Sequence, residues 1–297
     1  MSTGRMHADE YETDEALVRR LVAGQFPQWA GLDVRPLGPV GTSNAMYRLG
    51  AEMVVRLPRV AGAAGDVAKE HAWLPRLAAA LPVPVPLPLG EGLPGEGYPW
   101  AWSVYRWLGG VTPTDGLLDR PAAVAADLAA FTTALQGIDP AGGPASYRSE
   151  TLAARDGYVR KAIAELAELG EVDGRGVTEL WEAALRAPEH DGPPVWIHAD
   201  LQPGNLLVAD GRLSAVIDFG CAGLGDPAVD LLPAWYVLPR SARAEFRRAA
   251  GADEPRWERG RGWALSVALM ELWYYRLTNA RMAATARHVL EEVAQPC

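Results

Sequence analysis

The sequence predicts an α+β protein of two lobes, in which a β-rich N-terminal part precedes a mostly helical C-terminal part. Short apolar runs separated by polar turns cluster between residues 33 and 57, which is typical of an antiparallel sheet. Longer amphipathic runs follow residue 121 and favour helices. We therefore place an N-terminal lobe at residues 1–107 and a C-terminal lobe at residues 108–297.

The elements of the N-terminal lobe follow from periodicity and from turn residues. Thr13, Asp14 and Glu15 form an acidic helix start, because carboxylates favour the positive end of a helix. The apolar stripe of that helix is predicted at Leu17, Val18, Leu21 and Val22. Three strands and a second helix are predicted at 33–40, 44–49, 52–57 and 66–74. Pro75 is expected to start a new turn or a kink, because proline lacks the backbone donor.

A proline-rich segment and an aromatic run lead to the end of the first lobe. Residues 81–89 alternate with proline, which cannot donate to a central strand, so they predict an extended connector or a sheet edge. Residues 100–108 suit a buried strand, and Gly109-Gly110 ends it. We interpret this glycine pair as the hinge between the lobes, a position at which ligands commonly bind.

The C-terminal lobe is predicted to consist of helices interrupted by a small β insert. Asp210-Gly211 lies between two strand-like runs and is a strong hairpin signal. The predicted helices lie at 121–136, 150–169, 176–187 and from 227 onward. The predicted strands lie at 195–198, 205–209 and 213–217.

Composition narrows the class of protein. The formal net charge of −9 argues against nucleic acid, whose phosphates favour clustered Lys and Arg, and is compatible with a cationic substrate. No apolar run reaches the roughly 18 residues of a membrane span, and the acidic N-terminus lacks the features of a signal peptide. We therefore expect a cytoplasmic protein without nucleic-acid or membrane partners. Two cysteines are too few for a disulfide framework or a cysteine-rich metal site.

The most informative segment carries acidic and amide residues at fixed spacing. His198, Asp200 and Asn205 form the pattern H-x-D-x-x-x-x-N, and Asp218-Phe219-Gly220 follows after the predicted hairpin. Phosphoryl transfer requires a carboxylate that orients the attacking hydroxyl and oxygen ligands that hold Mg²⁺ on the nucleotide phosphates. Asp200 suits the first role, and Asn205 with Asp218 suits the second. The two motifs in this order predict a phosphoryl-transfer enzyme.

These motifs, together with the run Gly225–Leu231, resemble the aminoglycoside phosphotransferase family of the protein-kinase-like superfamily. The resemblance extends from about residue 15 to about residue 290. It implies a protein-kinase-like two-lobed fold, ATP or GTP as phosphate donor, Mg²⁺ as cofactor and a small-molecule hydroxyl as acceptor. The Gly225–Leu231 run stands where protein kinases carry an A-P-E segment, which favours a small molecule over a protein as acceptor.

The resemblance also implies roles residue by residue. Asp200 is similar to the catalytic base, and Asn205 and Asp218 are similar to the metal ligands. The implied nucleotide-binding positions are Ser43 in the loop 41–44, Arg56 as phosphate anchor, Glu70 as its helix partner, and Arg106 and Trp107 at the hinge. At the hinge, backbone groups would bond the edge of the base.

One position departs from the family pattern. Arg56 stands where the family usually has Lys; arginine keeps the charge and can bind phosphate bidentately, but its planar fork needs different room. The alternatives are that Arg56 is a solvated strand residue and that Glu70 is a solvated helix residue without an arginine partner. Asp226 and Asp230 are interpreted as residues that brace the metal loop rather than contact substrate.

The sequence gives the least information about the site that binds the acceptor. Glu271 and Tyr274 belong to an acidic and aromatic cluster that suits the amines and sugar rings of an aminoglycoside; the alternative is a helix that packs its aromatic residues into the core. Three functions remain open: an antibiotic kinase, a metabolic kinase for a sugar, amino alcohol or fructosamine-like acceptor, and a nucleotide-binding pseudokinase.

Overall fold

The structure is a computed structural model that describes residues 10–38, 43–113 and 118–295. The chain forms two compact units. The first comprises the described residues up to Gly109 together with Val216–Gly220, and the second comprises Gly110–Ala215 and the described residues from Cys221 onward. The chain therefore returns once to the first unit, for a stretch that contains Asp218. The sequence predicted a single boundary after residue 107 and gave no signal for this return.

The first unit is built on a five-stranded antiparallel sheet in the order β1-β2-β3-β5-β4. Arg56 lies in β3, opposite Met46 of β2 and Ser103 of β5, so it is carried by a central strand. The proline-rich connector ends in β4 at the sheet edge, as proline requires. The strands are β1 (Val34–Pro36), β2 (Asn44–Leu49), β3 (Met53–Pro58), β4 (Pro88–Gly92) and β5 (Trp102–Arg106).

Helix α1 (Glu15–Gln25) packs its predicted apolar stripe into the core of this unit. The side chain of Asp14 caps the helix by accepting the N–H of Leu17 at 2.7 Å, so the helix begins one residue later than Thr13 would suggest. All four residues of the stripe are buried, in one cluster with Val55, Trp102 and Val104. The predicted helix start and its buried face are confirmed.

Helix α2 (Ala64–Ala78) continues through Pro75, four residues past the predicted end at residue 74. Pro75 is exposed, and it has no N–H to contribute to the hydrogen bonds of the helix. The buried face of the helix continues past Pro75 to Leu77, because Val67, Glu70 and Leu74 repeat at helical spacing. Packing therefore holds the last turn against the local preference of proline.

The second unit is mostly helical and contains two small β elements. Strand β6 (Val195–Ile197) pairs with β9 (Gly223–Gly225), and β7 (Leu206–Ala209) forms a hairpin with β8 (Arg212–Val216). The hairpin turns at Asp210 and Gly211 with positive φ angles of 51° and 71°, as predicted. The helices are α3 (Pro121–Gln136), α4 (Asp156–Glu168), α5 (Gly174–Arg186), α6 (Pro233–Tyr236), α7 (Arg240–Ala249), α8 (Glu254–Tyr275) and α9 (Ala280–Ala294).

The helix predictions for the second unit hold in approximate place. Helix α3 has the bounds that the sequence predicted, with Pro121 at its first position, whereas α4 begins six residues later than predicted, at Asp156. The α+β fold with a sheet-containing unit and a helical unit is confirmed. Across the described ranges, no helix is both long and apolar enough to cross a membrane.

Candidate active site

The loop that follows β6 is fixed by a buried carboxylate. Asp230 is fully buried and accepts the backbone N–H groups of His198 at 2.9 Å and Ala199 at 2.8 Å. The N–H of Asp200 then donates to Nδ1 of His198 at 3.2 Å, and Ala199 adopts a positive φ of 66°. Asp230 thus braces the loop, as the sequence analysis interpreted it, and His198 shapes the backbone that presents Asp200.

The carboxylate of Asp200 is held by three neighbouring side chains of the second unit. Its Oδ1 accepts from Nη1 of Arg148 and from Nε2 of Gln202, both at 3.2 Å, and its Oδ2 accepts from Nδ2 of Asn205 at 2.8 Å. The Asp200 side chain remains 22% exposed. A carboxylate offers about four acceptor positions, so a further donor can reach it. Asp200 is therefore oriented and still accessible.

Arg148 has no signal in the sequence. It lies in the irregular segment between α3 and α4, and its Nη1 also donates to the carbonyl oxygen of Ala199. Burial alone would lower the pKa of Arg148, but Asp200 and the other acidic groups around it, Glu271 among them, together raise the pKa above its usual value. Arg148 therefore stays charged beside Asp200, and only the fold reveals this contact.

Glu271 is linked to Asp200 through Gln202. Nε2 of Gln202 donates to Oε1 of Glu271 at 2.6 Å, and the hydroxyl of Tyr236 donates to Oε2 of Glu271 at 3.0 Å. Burial raises the pKa of Glu271 to about 7, and Asp200 adds to the rise while the bond from Gln202 opposes it. Gln202 occupies one of the unspecified positions of the motif and Tyr236 lies outside every motif, so neither could be predicted from the sequence.

The predicted metal ligands present oxygen atoms that suit Mg²⁺. Asn205 uses its amide nitrogen to bond both the carbonyl oxygen and Oδ2 of Asp200, which leaves the amide oxygen as its coordinating atom. Asp218 has a positive φ of 63°, and its side chain is 43% exposed. Mg²⁺ usually takes one or two protein carboxylates and completes its shell with water and phosphate oxygens. The two residues therefore fit this cation chemically.

No larger acidic ligand set is present in the described ranges. Among residues 10–38, 43–113 and 118–295, no group of three or more His, Cys, Asp or Glu side chains could hold a metal ion. The role of Asn205 and Asp218 as ligands stays a prediction.

Arg56 is the centre of an ionic cluster in the first unit. Its Nη1 donates to Oε1 and Oε2 of Glu70 at 2.8 and 2.9 Å, and its Nη2 donates to Oδ1 of Asp218 at 2.7 Å. With its amide oxygen facing the guanidinium, Asn44 accepts from Nη2 at 3.0 Å and from Nε at 3.1 Å. All three nitrogen atoms of the guanidinium are thus engaged. The ion pair of Arg56 with Glu70 that the sequence predicted is present.

The cluster is stabilised by burial and by complementary charge. Glu70 is only 3% exposed, and the hydroxyl of Tyr105 donates to its Oε2. Burial alone would lower the pKa of Arg56, but the carboxylates of Asp218 and Glu70 raise it well above its usual value. Arg56 and Glu70 are therefore not solvated surface residues, which excludes that alternative for both.

We expect Arg56→Met to lower the free energy of unfolding by about 3 kcal/mol, because it leaves the buried carboxylate of Glu70 without its cationic partner. Urea unfolding measures the loss. As a control, Arg35→Met changes an arginine on β1 that is 78% exposed and should stay within about 0.5 kcal/mol of the wild type. A loss for Arg56→Met no larger than that of the control would contradict the buried pair, whereas Arg56→Met/Glu70→Met should recover part of the loss.

The remaining predicted nucleotide positions also lie in the first unit. Ser43 follows Gly41 and Thr42, which lie outside the described residues, and its carbonyl oxygen accepts the N–H of Arg59 at 2.8 Å. The N–H groups of Arg106 and Trp107 donate to backbone carbonyls at 3.0 and 2.7 Å. The N–H groups of both residues are therefore already paired within the first unit.

The predicted acceptor residues lie one turn apart on α8. Glu271 belongs to the network of Asp200, whereas Tyr274 is 48% exposed and packs edge-on against Tyr275, with ring centroids 4.7 Å apart. Asp226 is paired with Arg259 at 2.7 Å, in agreement with its interpretation as a bracing residue. Of the two candidate acceptor residues, Glu271 is linked to the predicted catalytic residue through the amide of Gln202.

An antiparallel-sheet unit with an Arg–Glu pair, together with a helical unit that presents an H-x-D-x-x-x-x-N loop, defines the class of kinase-like phosphotransferases. The sequence model of the phosphotransferase enzyme family, APH, matches residues 33–263. This match covers most of the chain, and the chain belongs to that family.

One curated relative shares significant sequence similarity with the chain. The aminoglycoside 3'-phosphotransferase of Escherichia coli is 35% identical over 68 residues, which are 23% of this chain and 25% of the relative. The matched segment thus spans only about a quarter of the length of that relative. The match supports the family and does not by itself transfer the activity of the whole relative.

Solved structures of similar fold cover nearly the whole chain. The GDP complex of wild-type aminoglycoside 2'-phosphotransferase-IIIa has a TM-score of 0.72 at 20% identity, covering 95% of this chain and 99% of that one. The macrolide 2'-phosphotransferase from Brachybacterium faecium has a TM-score of 0.61 at 23% identity, covering 96% and 99% of the two chains. At these identities the likeness shows the fold.

Proposed function

We propose that this protein is a small-molecule kinase that transfers the γ-phosphate of ATP or GTP to a hydroxyl group of an aminoglycoside or a similar hydroxylated antibiotic. One observation carries the proposal: the accessible carboxylate of Asp200 is oriented by Arg148, Gln202 and Asn205 within the H-x-D-x-x-x-x-N loop. The family of the chain supports it, and so do relatives named for phosphotransfer to aminoglycosides and macrolides.

Asp200 is the proposed catalytic base. It accepts the hydrogen bond of the acceptor hydroxyl, aims the oxygen at the γ-phosphorus and takes up the proton as the new P–O bond forms. The bond from the γ-phosphorus to the bridging oxygen breaks in the same step, and the nucleoside diphosphate leaves. The bonds from Arg148 and Asn205 keep the carboxylate in one orientation, so little reorganisation is needed during transfer. Positioning of this kind is most of what a protein contributes to phosphoryl transfer.

Asn205 and Asp218 are the proposed ligands of Mg²⁺, which neutralises the negative charge that develops on the phosphates when it is bound. Arg56, paired with Glu70, is the proposed phosphate anchor. All three nitrogen atoms of Arg56 already have acceptors, so an anchoring role requires Arg56 to exchange one of them, Asp218 or Asn44, for a phosphate oxygen. Ser43 is proposed to contact the phosphates, and the backbone of Arg106 and Trp107 the base.

The acceptor is proposed to be cationic. Glu271 places negative charge in the network of Asp200, and Tyr274, on the same helix, offers an exposed aromatic face to a sugar ring. The net charge of −9 would draw a polycationic antibiotic toward the protein. We propose a cytoplasmic location, where nucleoside triphosphates and Mg²⁺ are available.

Two measurements on one gene test the proposed function. Expression in a sensitive host should raise resistance to at least one aminoglycoside, and Asp200→Asn should abolish the effect. The purified protein should transfer phosphate from ATP or GTP to the same drug, detected by mass spectrometry. Turnover only with sugars, amino alcohols or fructosamines would indicate a metabolic kinase. A nucleotide-dependent thermal shift without turnover on any acceptor would indicate a pseudokinase.

A further inference from the structure

The amide of Gln202 bridges two carboxylates. Its single nitrogen donates to Oδ1 of Asp200 at 3.2 Å and to Oε1 of Glu271 at 2.6 Å. A primary amide carries two hydrogens on that nitrogen, so both bonds form at once. With the amide reversed, its oxygen would face two carboxylates, and all of these atoms are acceptors. The nitrogen of the Gln202 amide is therefore assigned to the side that faces Asp200 and Glu271.

We propose that Glu271 is a positioning residue for Asp200, acting through the amide of Gln202, and that its negative charge increases the rate of phosphoryl transfer without contact with the reacting atoms. This inference rests on the proposed function, because it assigns Asp200 as the base. It adds a residue on α8, far along the chain from the motif, to the set that controls that base.

One physical effect carries the proposal. An ionised Glu271 accepts a charge-assisted hydrogen bond from Gln202, which holds the amide and hence Oδ1 of Asp200 in place. Protonation of Glu271 weakens this hydrogen bond, so the amide holds Asp200 less firmly.

The surroundings of Glu271 leave its charge incompletely compensated. The groups that face it are Asp200 and Gln202 from the catalytic loop, Arg148 from the segment before α4 and Tyr236 from α6. Arg148 is the one cation among them, and it is hydrogen-bonded to Asp200. Burial therefore raises the pKa of Glu271 to about 7, so the residue changes charge within the range in which enzymes are assayed.

The direction of the pH effect follows from that value. Below pH 7 Glu271 is mostly neutral, and above pH 7 it is mostly ionised, so kcat should rise as the pH increases through about 7. Glu271→Gln keeps the size and the hydrogen-bond acceptor but cannot ionise. The ratio of wild-type kcat to variant kcat should therefore be near 1 at low pH and reach about tenfold at high pH, because only the ionised carboxylate holds the amide of Gln202 by a charge-assisted hydrogen bond.

The experiment measures kcat from about pH 5.5 to about pH 8.5 for the wild type, Glu271→Gln and the control Glu291→Gln. Glu291 is an exposed glutamate on α9, and its variant should follow the wild type at every pH. Dividing wild-type by variant rates removes the titration of the nucleotide and of the acceptor amines. A ratio for Glu271→Gln that stays constant with pH overturns the proposal, because loss of a merely structural contact lowers the rate equally throughout.

A second pair of variants tests the path through the amide. Gln202→Met keeps the length of the side chain and removes both hydrogen bonds, so Glu271→Gln should add no more than about twofold when introduced into Gln202→Met. An undiminished effect of Glu271→Gln in that background would show that Glu271 does not act through Gln202. Full additivity of the two substitutions thus overturns the pathway.

Thermal unfolding separates failure of this inference from failure of the proposed function. The folded-state pKa of Glu271 lies above its usual value, so the stability that the neutral form provides is present at low pH and lost as the pH rises toward 7. The Tm of the wild type should therefore fall relative to that of Glu271→Gln between about pH 5 and about pH 7. If the Tm of the wild type and the Tm of Glu271→Gln change with pH in parallel, Glu271 does not titrate in this range and the proposal is overturned. This outcome can be read even when no acceptor is turned over. Absence of turnover with every acceptor in the wild type overturns the kinase assignment instead.

Discussion

Asp200→Asn is expected to lower kcat by about 10²- to 10⁴-fold while nucleotide binding stays within a few-fold of the wild type. The amide is nearly isosteric with the carboxylate, and its oxygen can still accept a hydrogen bond from Arg148. It cannot take up the hydroxyl proton, so the loss falls on the chemical step. Steady-state kinetics with the acceptor, together with nucleotide titration by calorimetry, separates the two quantities.

Asp210→Asn is the matched control for this substitution. Asp210 is exposed at the hairpin turn, and its positive φ of 51° suits asparagine as well as aspartate. The control should retain full kcat. A variant Asp200→Asn with wild-type turnover would remove Asp200 from its role as base, and a variant that neither turns over nor binds nucleotide would point to a loop that no longer folds.

Asp218→Asn is expected to weaken Mg²⁺-dependent nucleotide binding by more than the roughly 10- to 100-fold that loss of an outer-shell partner costs. Asparagine tolerates the positive φ of 63° at this position, so the backbone should remain as it is. The charge that would bind the cation is lost, whereas Arg56 keeps its bonds to Glu70 and Asn44. Calorimetric titration of ATP and GTP with and without Mg²⁺ measures the effect.

Asp191→Asn serves as the control for this second substitution, because Asp191 is exposed in the loop before β6. Its nucleotide affinity should equal that of the wild type in the presence and absence of Mg²⁺. Retained tight Mg²⁺-dependent binding in Asp218→Asn would show that the cation is held by other residues. The unfolding midpoint of each variant should be recorded, so that a loss of binding is not mistaken for a loss of fold.

The sequence predicted those parts of the fold that depend on local rules. The buried stripe of α1, the bounds of α3 and the hairpin at Asp210-Gly211 follow from periodicity, a proline at a helix start and a turn dipeptide. The end of the second helix was predicted too early, because the local effect of Pro75 was considered without the buried residues on either side of it. The return of residues 216–220 to the first unit depends on packing between distant segments, which no local pattern records.

The residues of the candidate site also fall into two groups: those that a motif or the family resemblance predicted, and those that only the fold brings to the site. The motif identified Asp200 and Asn205, and the family resemblance pointed to the pair of Arg56 and Glu70, which the structure contains. Arg148 and Tyr236 were missed because each stands alone in a segment of ordinary composition. They reach the site only through tertiary contacts that span at least 35 positions of the chain.

Asp230 has a consequence for anyone who would move this chemistry to another scaffold. The shape of the segment 198–200 is set by a carboxylate that lies about thirty positions downstream and offers both oxygens to its amides. A transplanted H-x-D peptide without the carboxylate of Asp230 would leave two buried N–H groups without acceptors, and its aspartate would no longer be held in one orientation. The smallest transferable unit is therefore discontinuous in the chain and includes the downstream acid as well as the motif.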